Sequence, residues 1–444
     1  MSRRLHLNAF LMSSGHHEAA WRLAESDPYA DYDVDHWVQL AQLAERGTMD
    51  SVFFADGPSL GRGVEFRPAG QLDPLTLLAV MAAKTSRIGL ITTASTTYNS
   101  PYNLARQFAS LDHVSGGRAG WNIVTTADRE AAANFGLEDR PDHADRYARA
   151  GDFVEVALEL WDSWDDDAIV ADKRSGRYTR ADGVRAIHHD GEYYRVRGPL
   201  NVPRSPQGHP VLVQAGASHD GKEFAARTAE AVFTAQQTLA DGQAFYSDLK
   251  ERIARVGRDP DNVKILPGIV PVLGSTVAEA EALAERLDEA IVPAYGLRQL
   301  SEILEVPTET FDLDDELPAE IVAGNHREGF QSRADLIVGL ARRDRLTVRE
   351  LLGRLGGGRG HWTVVGTPEQ VADELQTWFE AGAADGFNVM GPLLPSSLEH
   401  FVDHVIPILR SRGLFREEYS GTTLRDHYDL PRPVNRFGLA RATA

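Results

Sequence analysis

Residues 87–126 constrain the fold more than any other part of the chain. Two apolar runs, 88–93 and 119–126, flank a helical pattern that starts at Pro101 and is followed by a glycine pair at 116–117. Proline suits the first turn of a helix and glycine suits the position just past its end, so hydrophobicity is not the only marker of these boundaries. Two neighbouring strands joined by a helix run parallel, and this stretch therefore predicts a parallel strand, helix, strand unit.

Both of these strands end in small hydroxyl side chains. Ser95 lies at the end of the first strand and Thr126 at the end of the second. Because ligands of α/β folds bind at the carboxyl ends of parallel strands, the stretch also predicts a binding site at that edge.

The same alternation of strand and helix continues along the chain. Eight apolar runs are each followed by a helical pattern, and these runs are residues 5–13, 51–55, 88–93, 119–126, 210–214, 231–236, 264–273 and 387–391. The economical prediction is an α/β fold of the (β/α)8 TIM-barrel type. A doubly wound sheet is the alternative, but no G-x-G-x-x-G follows the first strand and no G-x-x-x-x-G-K-[ST] occurs in the sequence.

Residues 292–361 interrupt the alternation between the seventh and eighth strands. The segment of about 70 residues is too long for a simple connection, and its apolar stretches are short and separated by charges. We predict a helical insertion that depends on the barrel for burial, inside a single domain of residues 1–444, and that closes over the substrate as a lid. The glycine run at 356–360 is interpreted as a flexible hinge.

Composition restricts the chemistry of the chain. It has 444 residues and no cysteine, which excludes disulfides, thiolate nucleophiles and iron-sulfur clusters and leaves any redox chemistry to a bound cofactor. The formal charge of -19 argues against nucleic acid or an anionic membrane as a partner. No apolar run approaches the ~20 residues that cross a bilayer, and the first residues do not resemble a signal peptide. We therefore expect a cytoplasmic protein.

Several residues are candidates for a ligand site. Asp56 follows the second strand and is either a functional carboxylate or a turn residue. Residues 216–218 begin a helix and either hold a phosphate through backbone N–H groups or form an ordinary cap, and residues 396–397 are the rival phosphate site. The histidine pairs at 16–17 and 188–189 are adjacent, so no metal site is predicted from them. Four aromatic residues are candidates for lining a pocket: Tyr98, Tyr102, Trp121 and Trp362.

Long strings in the sequence resemble one enzyme family. The string STTYNSPYNLARQFASLDHVSGGRAGWNIVTT is similar to the bacterial-luciferase-like flavin monooxygenases, in particular the branch with nitrilotriacetate, dibenzothiophene-sulfone and long-chain alkane monooxygenases. Further matches are FFADG, DRYARAGDFVEVALELWDSW, VRGPLNVPRSPQGHPVLVQAGAS and VGTPEQVADEL. The matching strings extend over nearly the whole chain in one order, and the fold of the family is the barrel already predicted.

The resemblance implies a two-component system. A separate NAD(P)H:FMN reductase would supply reduced FMN, and this chain would bind it, capture O2 as a flavin hydroperoxide and oxygenate a small organic substrate of sulfone, amine or alkane type. It also implies a homo-oligomer, either a dimer or a tetramer. Two alternatives stay open, namely a deazaflavin-dependent oxidoreductase with the same barrel and a flavin-binding protein without catalysis.

The resemblance further implies where the flavin binds. Asp56 and Ser95 would contact the ring or the ribityl chain, and Tyr147, Ala217 and Ser218 would hold the phosphate rather than residues 396–397. The full predicted set of cofactor-binding residues is Asp56, Ser95, Asn122, Thr126, Tyr147, Ala217 and Ser218. Ala127 stands where some members of the family have histidine, so the resemblance assigns no catalytic acid or base.

Overall fold

A computed structural model describes residues 3–60, 64–68, 70–323, 331–358 and 360–438 of the chain. Within these ranges there are thirteen strands: β1 (His6–Phe10), β2 (Ser51–Phe54), β3 (Gly89–Ser95), β4 (Ala119–Val124), β5 (Ile169–Asp172), β6 (Arg177–Thr179), β7 (His189–Asp190), β8 (Arg195–Val196), β9 (Val211–Ala215), β10 (Ala231–Thr234), β11 (Lys264–Leu273), β12 (Trp362–Gly366) and β13 (Gly386–Val389).

The same ranges contain sixteen α-helices: α1 (Val34–Arg46), α2 (Pro74–Lys84), α3 (Pro101–Ser115), α4 (Arg129–Asn134), α5 (His143–Trp161), α6 (His219–Thr228), α7 (Leu239–Arg255), α8 (Val277–Glu289), α9 (Pro293–Leu304), α10 (Ala319–Ala323), α11 (Gln331–Asp344), α12 (Val348–Gly358), α13 (Pro368–Glu380), α14 (Ser396–His400), α15 (Ile406–Ser411) and α16 (Leu424–His427). A π-helical segment, Phe401–Val405, joins α14 to α15. None of the helices described is long and apolar enough to cross a membrane.

Eight parallel strands close into a barrel, as the sequence predicts. Their order around the barrel is β1, β2, β3, β4, β9, β10, β11 and β13, and β13 pairs with β1 to complete the ring. Helices lie between successive strands, so the strand and helix alternation is that of a (β/α)8 barrel. The carboxyl ends of all eight strands consequently meet at one mouth.

The predicted unit at residues 87–126 forms β3, α3 and β4. Pro101 occupies the first turn of α3, and Gly116 ends the helix with a φ of 71°, a left-handed conformation that glycine adopts without strain. β3 and β4 pair in parallel, with Thr93 opposite Asn122. The local signals in this stretch therefore gave both the elements and their boundaries.

A ninth parallel strand, β12, was not predicted. β11 is ten residues long, and only its first half pairs with the barrel strand β10. Its second half, from Ile269 to Leu273, pairs with β12 instead. The insertion between β11 and β13 therefore returns to the sheet before α13 begins.

The insertion contains α9, α10, α11 and α12. Its apolar side chains, among them Leu300, Ile337 and Leu351, pack into a cluster of their own, which the sequence analysis did not expect. α12 also packs against α8, β11 and β12. The first three glycines of the predicted hinge belong to α12, so the hinge interpretation is wrong for them, and Arg359 lies outside the described residues.

The opposite end of the barrel is closed by the C-terminal segment, for which the sequence analysis made no prediction. Leu424 and Tyr428 pack inside the barrel. A Cβ on Gly89 would lie 2.4 Å from Cδ1 of Leu424, so the absence of a side chain there makes room for the plug. Below it, Asp50 is fully buried and forms an ion pair with Arg416. Among the described residues, the C-terminal segment therefore fills the end of the barrel opposite the mouth.

Candidate functional site

The mouth brings together the hydroxyl groups predicted at the ends of β3 and β4. The Oγ1 atom of Thr126 donates a hydrogen bond to Oγ of Ser95 over 2.8 Å. The backbone N–H of Thr97 donates to the same oxygen over 3.2 Å. Ser95 is therefore held in one orientation on the wall of the mouth.

Asn122 lies on the same wall but deeper in the barrel, because it is opposite Thr93, two residues before Ser95. Its Nδ2 donates to Oγ1 of Thr93 over 2.7 Å. Its Oδ1 is buried and has no hydrogen-bond partner among the described residues. Buried polar atoms are rarely left unsatisfied without a reason, so this oxygen is suited to accept a hydrogen bond from a ligand.

Tyr147 and Ser218 meet at the start of α6. The Oγ of Ser218 caps the helix by accepting a hydrogen bond from the N–H of Gly221 over 3.1 Å. A Cβ on Gly221 would lie 3.0 Å from that Oγ and 3.2 Å from the hydroxyl oxygen of Tyr147. Two hydroxyls thus converge on a helix N-terminus where no side chain intrudes, which is an arrangement that binds phosphate. Ala217 points elsewhere, because its side chain packs against the apolar cluster between α6 and α7.

The hydroxyls of the rival phosphate site at residues 396–397 form hydrogen bonds within the chain. The Oγ of Ser397 accepts a hydrogen bond from the N–H of Leu393 over 3.2 Å, and the Oγ of Ser396 donates to the carbonyl of Leu393 over 3.4 Å. Both hydroxyls are therefore engaged in the turn that precedes α14.

Gln214 belongs to the site but was missed by sequence reasoning. It is buried at the end of β9, its Nε2 donates to the carbonyl of Ala215 over 3.0 Å, and its Oε1 has no partner among the described residues. The Nε2 atom lies 3.7 Å from the position of a Cβ on Gly221, beside the two hydroxyls. The sequence signal that could have identified Gln214 is that it is the single polar residue in the otherwise apolar run of β9.

Asp56 lies apart from the other predicted residues. It follows β2 at the rim of the mouth, and among the described residues its side chain has no hydrogen bond to the hydroxyl cluster or to the helix start. Burial raises the pKa of its carboxyl, and the like charge of Asp73 raises it further. Solvent still reaches the side chain, so the carboxylate is available to a ligand at the rim.

Arg146 was also missed, although it precedes Tyr147 in the sequence. Its side chain is only 6% exposed, and its Nη1 donates to the carbonyl of Thr125 over 2.8 Å. Burial lowers the pKa of Arg146, and the like charge of Arg140 lowers it further. Sequence gives no sign of this burial, because the residue lies in the first turn of a helix where arginine is usually solvated.

An aromatic group fills the centre of the mouth. Phe10 packs edge to face on Phe53, with 4.8 Å between the ring centroids, and on Phe233 with 5.3 Å. His16 packs on Phe10 at 4.6 Å, and His361 stacks on Phe233 at 5.0 Å. These rings form an aromatic cluster, and the three phenylalanines belong to the packed barrel interior that also contains Leu424 and Tyr428.

Three of the four aromatic residues expected to line a pocket do not do so. Trp121 is fully buried between the barrel and its outer helices, where its Nε1 donates to the carbonyl of Ala94. Tyr102 packs against the same cluster. Trp362 stacks on Trp378 of α13 at 4.4 Å, also outside the barrel. Only Tyr98 lies near the mouth, and sequence patterns did not separate packing rings from pocket rings.

His17, the neighbour of His16, lines two cavities. One has a volume of about 110 Å³ and lies at the ends of β1 and β2, and the other, of about 910 Å³, lies between α8, α12, β11 and β12. The Nδ1 of His17 accepts a hydrogen bond from the N–H of Ala19, so Nε2 carries the proton that faces Asp288 at 3.4 Å. His16 and His17 thus point into different surroundings, as expected for neighbours in sequence.

The fold is an α/β barrel with an open helix start and an aromatic cluster at its mouth, an arrangement suited to an enzyme that binds a phosphate-bearing ligand. The sequence assigns it to a family. Residues 9–385 match the family described as luciferase-like monooxygenase, and the chain belongs to it. The family resemblance inferred from the sequence motifs is therefore confirmed, and the chain is a flavin-dependent monooxygenase.

Individual relatives cover nearly the full length of the chain. Component A of the nitrilotriacetate monooxygenase of Aminobacter aminovorans is 47% identical over 98% of both chains. The dibenzothiophene-sulfone monooxygenase of Rhodococcus erythropolis (strain XP) is 40% identical over 97% of this chain and 98% of the relative. Both names fall in the branch that the motifs indicated.

Solved structures agree with the fold. The EDTA monooxygenase of Chelativorans sp. BNC1 superimposes with a TM-score of 0.80 at 37% identity, covering 97% of this chain and 99% of the other. A riboflavin lyase solved with modified FMN and its substrate riboflavin gives a TM-score of 0.86 at 31% identity, over 96% of both chains.

Proposed function

We propose that this chain is the oxygenase component of a two-component system. A separate NAD(P)H:FMN reductase delivers reduced FMN, and this chain binds it and uses O2 to oxygenate a small organic substrate of sulfone, amine or alkane type. One oxygen atom enters the substrate and the other leaves as water. The observation that carries the proposal is the convergence of Tyr147 and Ser218 on the open start of α6. The name of one relative, component A, supports the two-component arrangement.

The polar groups of the mouth fit FMN. Tyr147, Ser218 and the N–H groups at the start of α6 would hold the phosphate. Asn122 and Gln214 each present a buried oxygen without a partner in the described structure, and they would accept hydrogen bonds from the ribityl hydroxyls or the ring N–H groups. When bound, reduced FMN would supply the electrons that activate O2.

The chain itself contributes binding, orientation and the exclusion of water. Ser95 and Thr126 form a fixed polar wall, because each hydroxyl orients the other. The rings of Phe10, Phe53 and Phe233 keep the centre of the mouth apolar, which protects a reactive oxygen species from water. No side chain is proposed as the catalytic acid or base.

The test is reconstitution from separate components. The purified chain with FMN and NADH is expected to oxidise NADH very slowly, and addition of a generic flavin reductase should restore turnover with candidate sulfones, amines and alkanes. Product screened by mass spectrometry under ¹⁸O2 should carry one labelled oxygen atom. Reductase without this chain is the control for chemistry by free reduced flavin.

Three results would reject the proposal. Fast NADH oxidation by this chain alone would contradict a separate reductase. Tight binding of a deazaflavin in place of FMN would favour the deazaflavin-dependent oxidoreductase. Binding of FMN without any labelled product across the panel would favour a flavin-binding protein without catalysis.

A further inference from the structure

Five arginines are buried in the described part of the chain, and four of them have either a carboxylate partner or several hydrogen-bond acceptors. Arg118 donates four hydrogen bonds to backbone carbonyls and one to the hydroxyl of Thr85. Arg204 pairs with Asp162 and Asp166, Arg416 with Asp50, and Arg425 with Glu230. A buried guanidinium needs such partners, because leaving water is costly for a charge.

Arg146 is the fifth, and it differs from the others. Its one hydrogen bond goes to the carbonyl of Thr125, and its Nε is buried with no partner in the described structure. No carboxylate pairs with it in those ranges, although the chain has 65 acidic residues and a net charge of -19. Arginine does not lose its proton in proteins, so a positive charge remains buried at this place without a counter-charge.

The position of Arg146 indicates what supplies that counter-charge. Arg146 directly precedes Tyr147 in the first turn of α5, and its guanidinium is held at the carbonyl of Thr125, just past the end of β4. The hydroxyl of Tyr147 in turn lies beside Ser218 and Gly221 at the start of α6. The buried charge of Arg146 therefore lies near the end of β4, on the helix that brings Tyr147 to the phosphate-type site.

The rest of that site cannot neutralise a phosphate dianion. Tyr147 and Ser218 are neutral, and a helix N-terminus provides only about half a positive charge. Asp220, in the first turn of α6, adds a negative charge that His143 partly offsets over 3.0 Å. A dianion bound there needs a further cation.

We propose that Arg146 is the counter-charge of the flavin phosphate, so that the site selects phosphorylated over unphosphorylated flavin. This inference rests on the proposed function, and it adds a specificity-determining residue to the site. Arg146 connects α5 with the end of β4, and the carbonyl of Thr125 holds the guanidinium without a ligand.

The experiment compares FMN with riboflavin, which lacks only the phosphate. Binding is measured by quenching of flavin fluorescence with wild type, Arg146→Gln, which keeps a donor for Thr125 without the charge, and Arg146→Lys, which keeps the charge. Arg149→Met is the matched control on the same helix, because Arg149 donates to the hydroxyl of Tyr194, away from the mouth. Circular dichroism checks that each variant is folded.

Wild type is expected to bind FMN more tightly than riboflavin. Arg146→Gln should lose at least about tenfold in FMN affinity while its riboflavin affinity is unchanged. Arg146→Lys should keep part of the FMN affinity, and Arg149→Met should keep all of it. In wild type, added salt should weaken FMN binding and leave riboflavin binding unchanged, a result that needs no variant to fold.

Other results overturn the inference. Equal affinity of wild type and Arg146→Gln for FMN would do so, as would an equal loss for FMN and riboflavin, which would assign Arg146 to the ring or to the fold. An unchanged FMN affinity with a raised KM for anionic substrates would assign the charge to the substrate. If wild type binds neither flavin, the proposed function fails first and for a separate reason.

Discussion

The hydroxyl of Tyr428 donates a hydrogen bond of 2.7 Å to Oδ1 of Asn8, which joins the C-terminal segment to the first strand inside the barrel. The same Oδ1 accepts from Oγ of Ser51 over 2.9 Å, and Nδ2 of Asn8 donates to Asn388 over 3.0 Å. The base of the barrel is therefore tied together by a buried polar network to which the two ends of the chain contribute.

Removing one hydrogen-bond donor from this network should lower the stability of the fold and leave the binding site at the mouth unchanged. Tyr428→Phe leaves Asn8 with Ser51 as its remaining donor, and we expect it to lower the free energy of unfolding by about 1 to 2 kcal/mol. The urea midpoint measures the change. Tyr178→Phe, at a tyrosine that is 64% exposed, is the control and should have no effect. Equal midpoints for wild type and Tyr428→Phe would contradict the role of the hydrogen bond.

Stability should depend on pH through His189. Burial lowers the pKa of this imidazole, but its hydrogen bonds with Asp152 and Glu159, of 2.7 and 2.9 Å, outweigh burial and raise the pKa above the usual value. The stabilisation is fully present below the unfolded-state pKa of about 6.5 and is lost as the pH rises through the higher folded-state value.

The variant His189→Gln isolates this effect. The difference in melting temperature between wild type and His189→Gln should be largest near pH 5.5 and should shrink toward pH 9. The corresponding change in the free energy of unfolding should be on the order of 1 kcal/mol. Thermal unfolding across this range measures it. A difference that stays constant with pH would mean that His189 is neutral in the folded protein.

A negative charge at the start of α6 should weaken flavin binding. Ser218→Asp places a carboxylate against the expected phosphate dianion, so FMN affinity should fall at least several-fold. Ser396→Asp, at the rival site, is the matched control and should bind FMN as wild type does. Fluorescence titration reports both. Unchanged affinity in Ser218→Asp would remove residues 216–218 from the phosphate site.

The insertion should become protected when ligands bind. It already touches the mouth, because the N–H of Glu18 donates to the carbonyl of Gly356 over 2.9 Å and Gly357 packs beside His17. A lid predicts slower hydrogen exchange in α9 and α12 with FMN and substrate present than in the free protein. Protection of the barrel loops alone, with unchanged exchange in those helices, would leave the insertion as a packing element only.

Sequence signals located most of the barrel, because each boundary carried its own local chemistry. Pro101 and Gly116 bounded α3, and Thr367 began α13 with both hydrogen bonds of a capping box. The hydroxyls at the ends of β3 and β4 were identified as candidates by a rule of the fold, because ligand sites lie at the carboxyl ends of parallel strands.

The features that the sequence did not predict depend on contacts between residues that are far apart in the chain. Trp362 follows a long insertion, so nothing nearby indicated that it would begin a strand opposite Ile269. Leu424 and Tyr428 lie in a polar tail with no regular pattern, and their burial depends on the space that Gly89 leaves. Arg146 looks like any helical arginine until its surroundings are known.

The length of β11 gives the entrance two unequal sides. Residues 269–273 continue the sheet beyond the pairing with β10, and at about 3.3 Å per residue this part rises about 16 Å. β11 therefore extends one side of the opening, where it pairs with β12 and lines the cavity beside α12. β3 and β4 lie across the ring from β11, so the polar wall with Ser95 and Asn122 faces this extension over the mouth.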